Sequence, residues 1–182
     1  MRARLKQRLS RHLSAVGALC AELAGKEGVD SRRGLLAGRL HDRFKPSSRR
    51  ELALILRNCR EKLDFETANI TALWHGPASA AVARAREGVR DDDLLEAIRW
   101  HSTGKAGMSA LGKALFVADF CAEGRGFREA FVGRKLARRN LHLAVRYVLA
   151  CKLAWLFGAG VKPHRMAVSF WKSIFWEVES GR

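Results

Sequence analysis

An all-α fold is predicted by three features of the chain. Apolar residues recur at steps of three and four, no alternating run is bounded by hairpin turns, and there are only three prolines. Leu5, Leu9, Leu13, Val16, Leu19 and Leu23 make one face of a first helix. Asp30 is placed to cap a second helix through Leu35, Leu36 and Leu40, ending near Pro46. Ser47 or Ser48 opens the next, "RRELALILRNC". Pro77 suits the first turn of a helix through "ASAAVARARE". Asp91, Asp92 and Asp93 lead into "LLEAIRWH", where their charge favours a helix N-terminus. Ser109 opens "ALGKALFVADF", a long helical region is expected from Phe127 to Phe157, and Pro163 begins a last helix through "AVSFWKSIFWEV". The aromatic residues of that helix are expected to pack in the core. No internal repeat or linker interrupts the pattern, so residues 1–182 are expected to form a single domain.

A chain of this length can bury a proper core, and a hydrophobic content of 48% is that of a globular protein rather than a disordered one. The net charge of +16 favours anionic partners, either nucleotides or nucleic acid. The basic runs "MRARLKQRLSR" and "GRKLARRN" are read as solvated helix faces, with an RNA track as the alternative. Cys20, Cys59, Cys121 and Cys151 form no C-x-x-C and are expected to be free thiols in a reducing compartment. The basic N-terminus lacks an apolar h-region, and "LAVRYVLACKLAWLFGAG" is interrupted by Arg146 and Lys152. A soluble, cytoplasmic protein without a membrane partner is therefore expected.

Six residues stand out chemically: His12, His41, Asp42, His75, His101 and Asp119. Apart from the adjacent pair, each sits on or beside a different predicted helix, in apolar company. One buried carboxylate without a partner is costly, so Asp119 in "LFVADF" needs a cation, an arginine or several donors. One shared cation explains all six more simply than six separate accommodations. Nitrogen and oxygen donors without thiolates suit iron, manganese or magnesium, with zinc also open. Adjacent helical residues point about 100° apart, so His41 and Asp42 would need other helices to complete a coordination shell.

The segment "LLEAIRWHSTGKAGMSALGKALFVADF", together with "LHD" at 40–42, resembles the HD-domain phosphohydrolases, and within them the YqeK-like symmetrical bis(5'-nucleosyl)-tetraphosphatases. Members carry "AI-x-x-H-T-T-G-x-x-G-M-x-x-L", then an apolar run and "ADY". The likeness runs from "SRHLSAVGALCAELA" to the last helix. It implies a helical HD fold around a metal ion, iron first among the candidates. The ligands it implies are His12, His41, Asp42 and Asp119, with His75 and His101 facing the substrate phosphates as catalytic groups or beside a second ion. It further implies phosphate binding by Lys45 and Arg125, alongside Ser102, Thr103 and Gly104 of "HSTGKAG". The implied reaction is hydrolysis of diadenosine tetraphosphate to two ADP.

The chain departs from the family pattern at Ser102, which keeps the hydroxyl of the usual threonine, and in "ADFCAEGR", where Ala122 and Glu123 replace glutamate and proline. The implied ligands are untouched by these changes. His142 and His164 are expected to have no catalytic part. Two alternatives stay open: another HD-type nucleotide phosphohydrolase, or a basic nucleic-acid-binding or regulatory protein that keeps its metal. A homodimer stays open beside a monomer.

Overall fold

The computed structural model describes residues 2–179, with side chains from 4 to 174. Among the described residues the chain forms α1 (Arg2–Lys26), α2 (Ser31–Leu40), α3 (Arg49–Asn58), α4 (Phe65–Asn69), α5 (His75–Arg86), α6 (Asp92–Trp100), α7 (Ala110–Cys121), α8 (Arg128–Arg139), α9 (Leu141–Gly158) and α10 (Arg165–Glu179), and no strand. Four helices start where the sequence places their N-termini. The side chains of Asp30, Ser48, Asp91 and Ser109 accept from backbone N–H groups two or three residues further on. Ser48 does so within a full capping box with Glu51. Each such cap is worth about 1 kcal/mol.

Three stretches differ from expectation. The second helix stops at Leu40 rather than near Pro46; His41 caps it with helical backbone angles, and residues 41–46 are turns. The region 127–157 is two helices. Asn140 adopts an extended backbone, φ −159°, and its side chain accepts from Leu143 N, so it ends α8 and caps α9. Between α3 and α5 lie the short α4, capped by Asp64, and a 3-10 turn over Thr71–Leu73, neither of which has a long apolar period to announce it.

Helix α7 is the centre of the packing. Leu111, Ala114, Leu115, Phe116, Val117 and Ala118 are all fully buried, and the helix packs against α1, α2, α6, α8 and α9. Its apolar residues cover every side, as a helix enclosed by others requires. Phe170 of α10 closes the core edge-on against Phe116, with ring centroids 5.4 Å apart. Phe175 and Trp176 of the expected aromatic cluster lie outside the described side chains.

By length and composition α9 could cross a membrane, the one helix among those described of which this holds. Its first half is instead a core helix: Leu141, Ala144, Val145, Val148 and Leu149 are buried, while Trp155 and Phe157 near its end are exposed. The four cysteines are free.

Two pairs of helices approach closely at glycines. A Cβ on Gly38 of α2 would lie 2.5 Å from the Cα of Gly17 on α1, and a Cβ on Gly76 of α5 would lie 2.7 Å from the carbonyl oxygen of Arg99 on α6. Only glycine permits backbones this near.

Candidate metal centre

The helices end so that four histidines meet. His41 follows the last residue of α2, His101 follows the last residue of α6, and His75 begins α5 just after the 3-10 turn. Each donates from Nδ1 to the carbonyl three residues before it: Gly38, Ile98 and Ala72 respectively, all at 2.8 Å. The final carbonyls of a helix lack intrahelical partners, so a histidine just past the end satisfies one and is oriented by it. The same bond fixes the tautomer, leaving Nε2 as a lone pair facing inward. His12 enters from α1, brought near His41 by the Gly17–Gly38 approach, with ring centroids 5.4 Å apart. The Gly76 approach does the same for His75 and His101, at 5.1 Å.

These Nε2 atoms surround two carboxylates. Asp42 Oδ2 lies 3.5 Å from His12 and 3.6 Å from His41, and Asp119 Oδ1 lies 3.3 and 3.5 Å from the same two atoms. Donor atoms of His12, His41, Asp42 and Asp119 all fall within 4.8 Å of one another. The other oxygen of Asp42 looks the opposite way, 3.1 Å from His75 Nε2 and 3.2 Å from His101 Nε2, and these three residues form a second such group. Asp42 is thus common to both groups, and its side chain is only 1% exposed.

Neutral histidines with Nδ1 committed would aim lone pairs at carboxylate oxygens and, across 3.2 Å, at each other. His12 Nε2, His41 Nε2 and Asp42 Oδ1 are buried without a hydrogen-bond partner. Buried groups of that kind are costly unless a positive charge lies among them. The donor set therefore fits a divalent ion: two imidazoles, two carboxylates and no thiolate.

The fold and the convergence of a His-Asp pair with two further donors agree with comparison to known proteins. The HD domain family model matches residues 9–153. The chain belongs to the HD domain family. This HD-domain chain is 35% identical over 146 residues to the "Bis(5'-nucleosyl)-tetraphosphatase, symmetrical" of Bacillus subtilis (strain 168), covering 78% of this chain and 77% of that protein. It is 32% identical over 136 residues to the protein of the same name from Halalkalibacterium halodurans, covering 74% and 71%. Among solved structures it is similar to a "predicted HD superfamily hydrolase involved in NAD metabolism" from Clostridium acetobutylicum. The TM-score is 0.86 at 27% identity, covering 92% of this chain and 89% of that one. The protein is an HD-type hydrolase whose His/Asp cluster fits a divalent metal ion.

Around the HD centre the remaining candidate residues divide. Lys45 Nζ donates to Asp42 Oδ2 at 2.7 Å, and Arg125 donates to Asp119 Oδ1 at 2.8 Å and to its backbone oxygen at 3.1 Å. Both are part-exposed, so they form a cationic rim over the buried carboxylates. Ser102 Oγ sits 3.3 Å from His75 Nε2 and 3.1 Å from His101 Nε2. Thr103 and Gly104 are not drawn into either group. The Thr103 hydroxyl donates to the Gly104 carbonyl, and Gly104, at φ +69°, has Phe170 packed where a Cβ would stand. Lys105 pairs with Glu96. His164 is buried beside Thr67, outside both groups. Gly38 and Gly76 carried no sequence signal of their importance, because an interhelix distance is not written in local spacing.

Electrostatics at the HD centre follow from burial and pairing. Burial raises the Asp42 carboxyl, but His101, His12 and His75 outweigh it and hold the group well below the usual carboxylate range. Asp119 behaves alike, with His12 and His41 outweighing burial. For His12, burial lowers the pKa, yet contacts with Asp119 and Asp42 leave it raised. Burial dominates at His101 and takes it from 6.5 to about 4 against the pull of Asp42. A base depressed in the fold stabilises fully above its unfolded pKa and loses that contribution as pH falls through the folded value. Protein stripped of metal is thus expected to lose about 3 kcal/mol from His101 between pH 6.5 and 4. His12, raised in the fold, acts in the opposite sense: its contribution is present below its unfolded pKa and is lost as pH rises through the folded value. Urea midpoints of metal-free protein at stepped pH check this; a midpoint level or rising toward pH 4 contradicts it.

Proposed function

We propose that this hydrolase cleaves dinucleoside tetraphosphates symmetrically, converting diadenosine tetraphosphate and water to two ADP. The observation that carries the reading is the shared Asp42 carboxylate, which joins two inward-facing donor groups beneath a cationic rim. The names of the relatives from Bacillus subtilis and Halalkalibacterium halodurans support the substrate and the symmetrical cut. Residues 1–182 are read as one such domain, supported by the family match over 9–153. His12, His41, Asp42 and Asp119 would hold the ion; their nitrogen and oxygen donors suit iron, manganese or magnesium, and iron is proposed as the resident metal on the resemblance to the family. When bound, such an ion supplies Lewis acidity and makes water a competent nucleophile near neutral pH.

The chain's own groups do the rest. Lys45 and Arg125 bind the phosphate chain through the N–H donors not spent on Asp42 and Asp119, Arg125 with its planar fork. Their fixed charges also offset the negative charge that grows in the transition state. His75, His101 and Asp42 Oδ1 form a set able to take a second cation. Without one, a proton taken up at Nε2 of either ring would be placed to pass to the departing phosphate oxygen. The Ser102 hydroxyl donates to one of these nitrogens and keeps the pair in register. All six donor residues come from one chain, so a monomer suffices for the chemistry. We infer a soluble, cytoplasmic enzyme, a reading supported by its four free cysteines.

Purified protein supplied with iron or manganese and given diadenosine tetraphosphate is expected to release two ADP per substrate. AMP plus ATP, or no turnover with either metal, rejects the reading.

A further inference from the structure

The apolar stripe of α9 contains an exception. Val145, Val148 and Leu149 are buried, and the next position of that i, i+3, i+4, i+7 series is Lys152. Its Nζ lies 4.0 Å from the ring centroid of Phe116, itself fully buried in α7, and donates to the carbonyl oxygens of Ser102 at 3.1 Å and His101 at 3.4 Å. These are the carbonyls that follow the last turn of α6, where partial negative charge collects and a cation is favoured. Nearby carbonyls are already satisfied: Ile98 by the His101 ring, and Trp100 by Gly104 N at 2.7 Å. Lys152 completes the set from a different helix.

We propose that Lys152 is a positioning residue for the second donor group: by holding the 101–102 backbone against α7 it aims His101 Nε2 at Asp42 and Ser102 Oγ at His75 Nε2, and so sets the affinity for a second cation. This rests on the reading of Asp42, His75 and His101 as a cation-binding set. The two-carbonyl grip acts on the residues that matter. His101 and Ser102 both face His75 Nε2, whereas His12 and Asp119 of the first group lie on α1 and α7. Lys152 therefore bears on the second group through the backbone it holds, and on the first only at one remove, through the His41 ring 4.8 Å from that of His101 and through the charge of Asp119.

A plain helix cap and an electrostatic bystander predict different results from a positioning role, which makes the inference testable by Mn²⁺ titration of metal-free protein in a calorimeter. Wild type is expected to bind in two steps. Lys152→Met keeps the packing length and removes the cation. It is expected to weaken the second step by about 10–100-fold, the range for loss of a group that orients a metal ligand, and not to weaken the first comparably. Lys152→Arg, which keeps a charged donor, restores most of that loss. If charge alone mattered, removing a nearby cation would tighten the second step. A second step that is tighter or unchanged in Lys152→Met overturns the inference. Should that variant fail to fold, Lys152→Gln, which keeps an N–H donor, is expected to weaken the second step more than the first, and an unchanged second step there also overturns it. A single step in wild type rejects instead the two-group reading of Asp42, leaving the two failures distinct.

Discussion

Asp42→Asn is expected to abolish hydrolysis, by on the order of 10³-fold or more, while leaving a folded protein. The reason is that one carboxylate serves both groups. Its Oδ2 faces His12 and His41 and its Oδ1 faces His75 and His101, so a single substitution removes the anionic charge from both sides. The amide keeps the shape and places N–H donors against one pair of Nε2 lone pairs. The Asp42→Asn protein without metal therefore has fewer unsatisfied contacts on that side than the wild type. Lys45, which loses its partner, is about half exposed and is solvated. The expected pattern is a thermal midpoint close to that of metal-free wild type, no stabilisation on adding metal, and no turnover. Circular dichroism melts with and without Mn²⁺, beside a product assay, read all three. A variant that still gains stability from metal would show that Asp42 is not the shared anion.

Gly38→Ala is expected to damage the centre from a distance. The new methyl would meet backbone atoms of Gly17 at 2.5 Å and of Val16 at 2.8 Å, none of which can move without moving α1. Overpacking of this kind costs about 1–3 kcal/mol, and here backbone must shift to relieve it. The shift separates α1 from α2, and so His12 from His41, whose rings are now 5.4 Å apart. Loss of affinity in the first metal step is expected together with a lower melting temperature. Gly76→Ala presses on the carbonyl of Arg99 and is expected to strike the His75–His101 group instead. Equal effects of the two glycine variants on both metal steps would refute this pairing of approach and group.

What could be read from the residues in order, and what could not, separates along physical lines. The caps at Asp30, Ser48, Asp91 and Ser109 are interactions over two or three residues and were legible for that reason. Asn140 carries no such signal, because apolar residues continue on both sides of it and the period runs on across a real break. The five-residue α4 is too short to show a period at all. At the centre, His12, His41, Asp42, His75, His101 and Asp119 could be singled out because polar groups in apolar settings demand an explanation, and the structure brings their donor atoms together. How they divide into two groups was not legible, since that depends on which oxygen of Asp42 faces which helix. Lys45 and Arg125 turn out to grip the carboxylates themselves, a contact made across turns of irregular backbone. Lys152 read as an interruption of an apolar helix, because the α6 carbonyls it meets are some 50 residues away in the chain.

Anomalous diffraction from crystals of the purified enzyme, with data on either side of the iron edge, tests the central claim most directly. An edge-dependent peak enclosed by His12 Nε2, His41 Nε2, Asp42 Oδ2 and Asp119 Oδ1 is expected. No peak there at the iron edge or at that of any other first-row metal, with the histidines hydrogen-bonded to the carboxylates as cations, would contradict it.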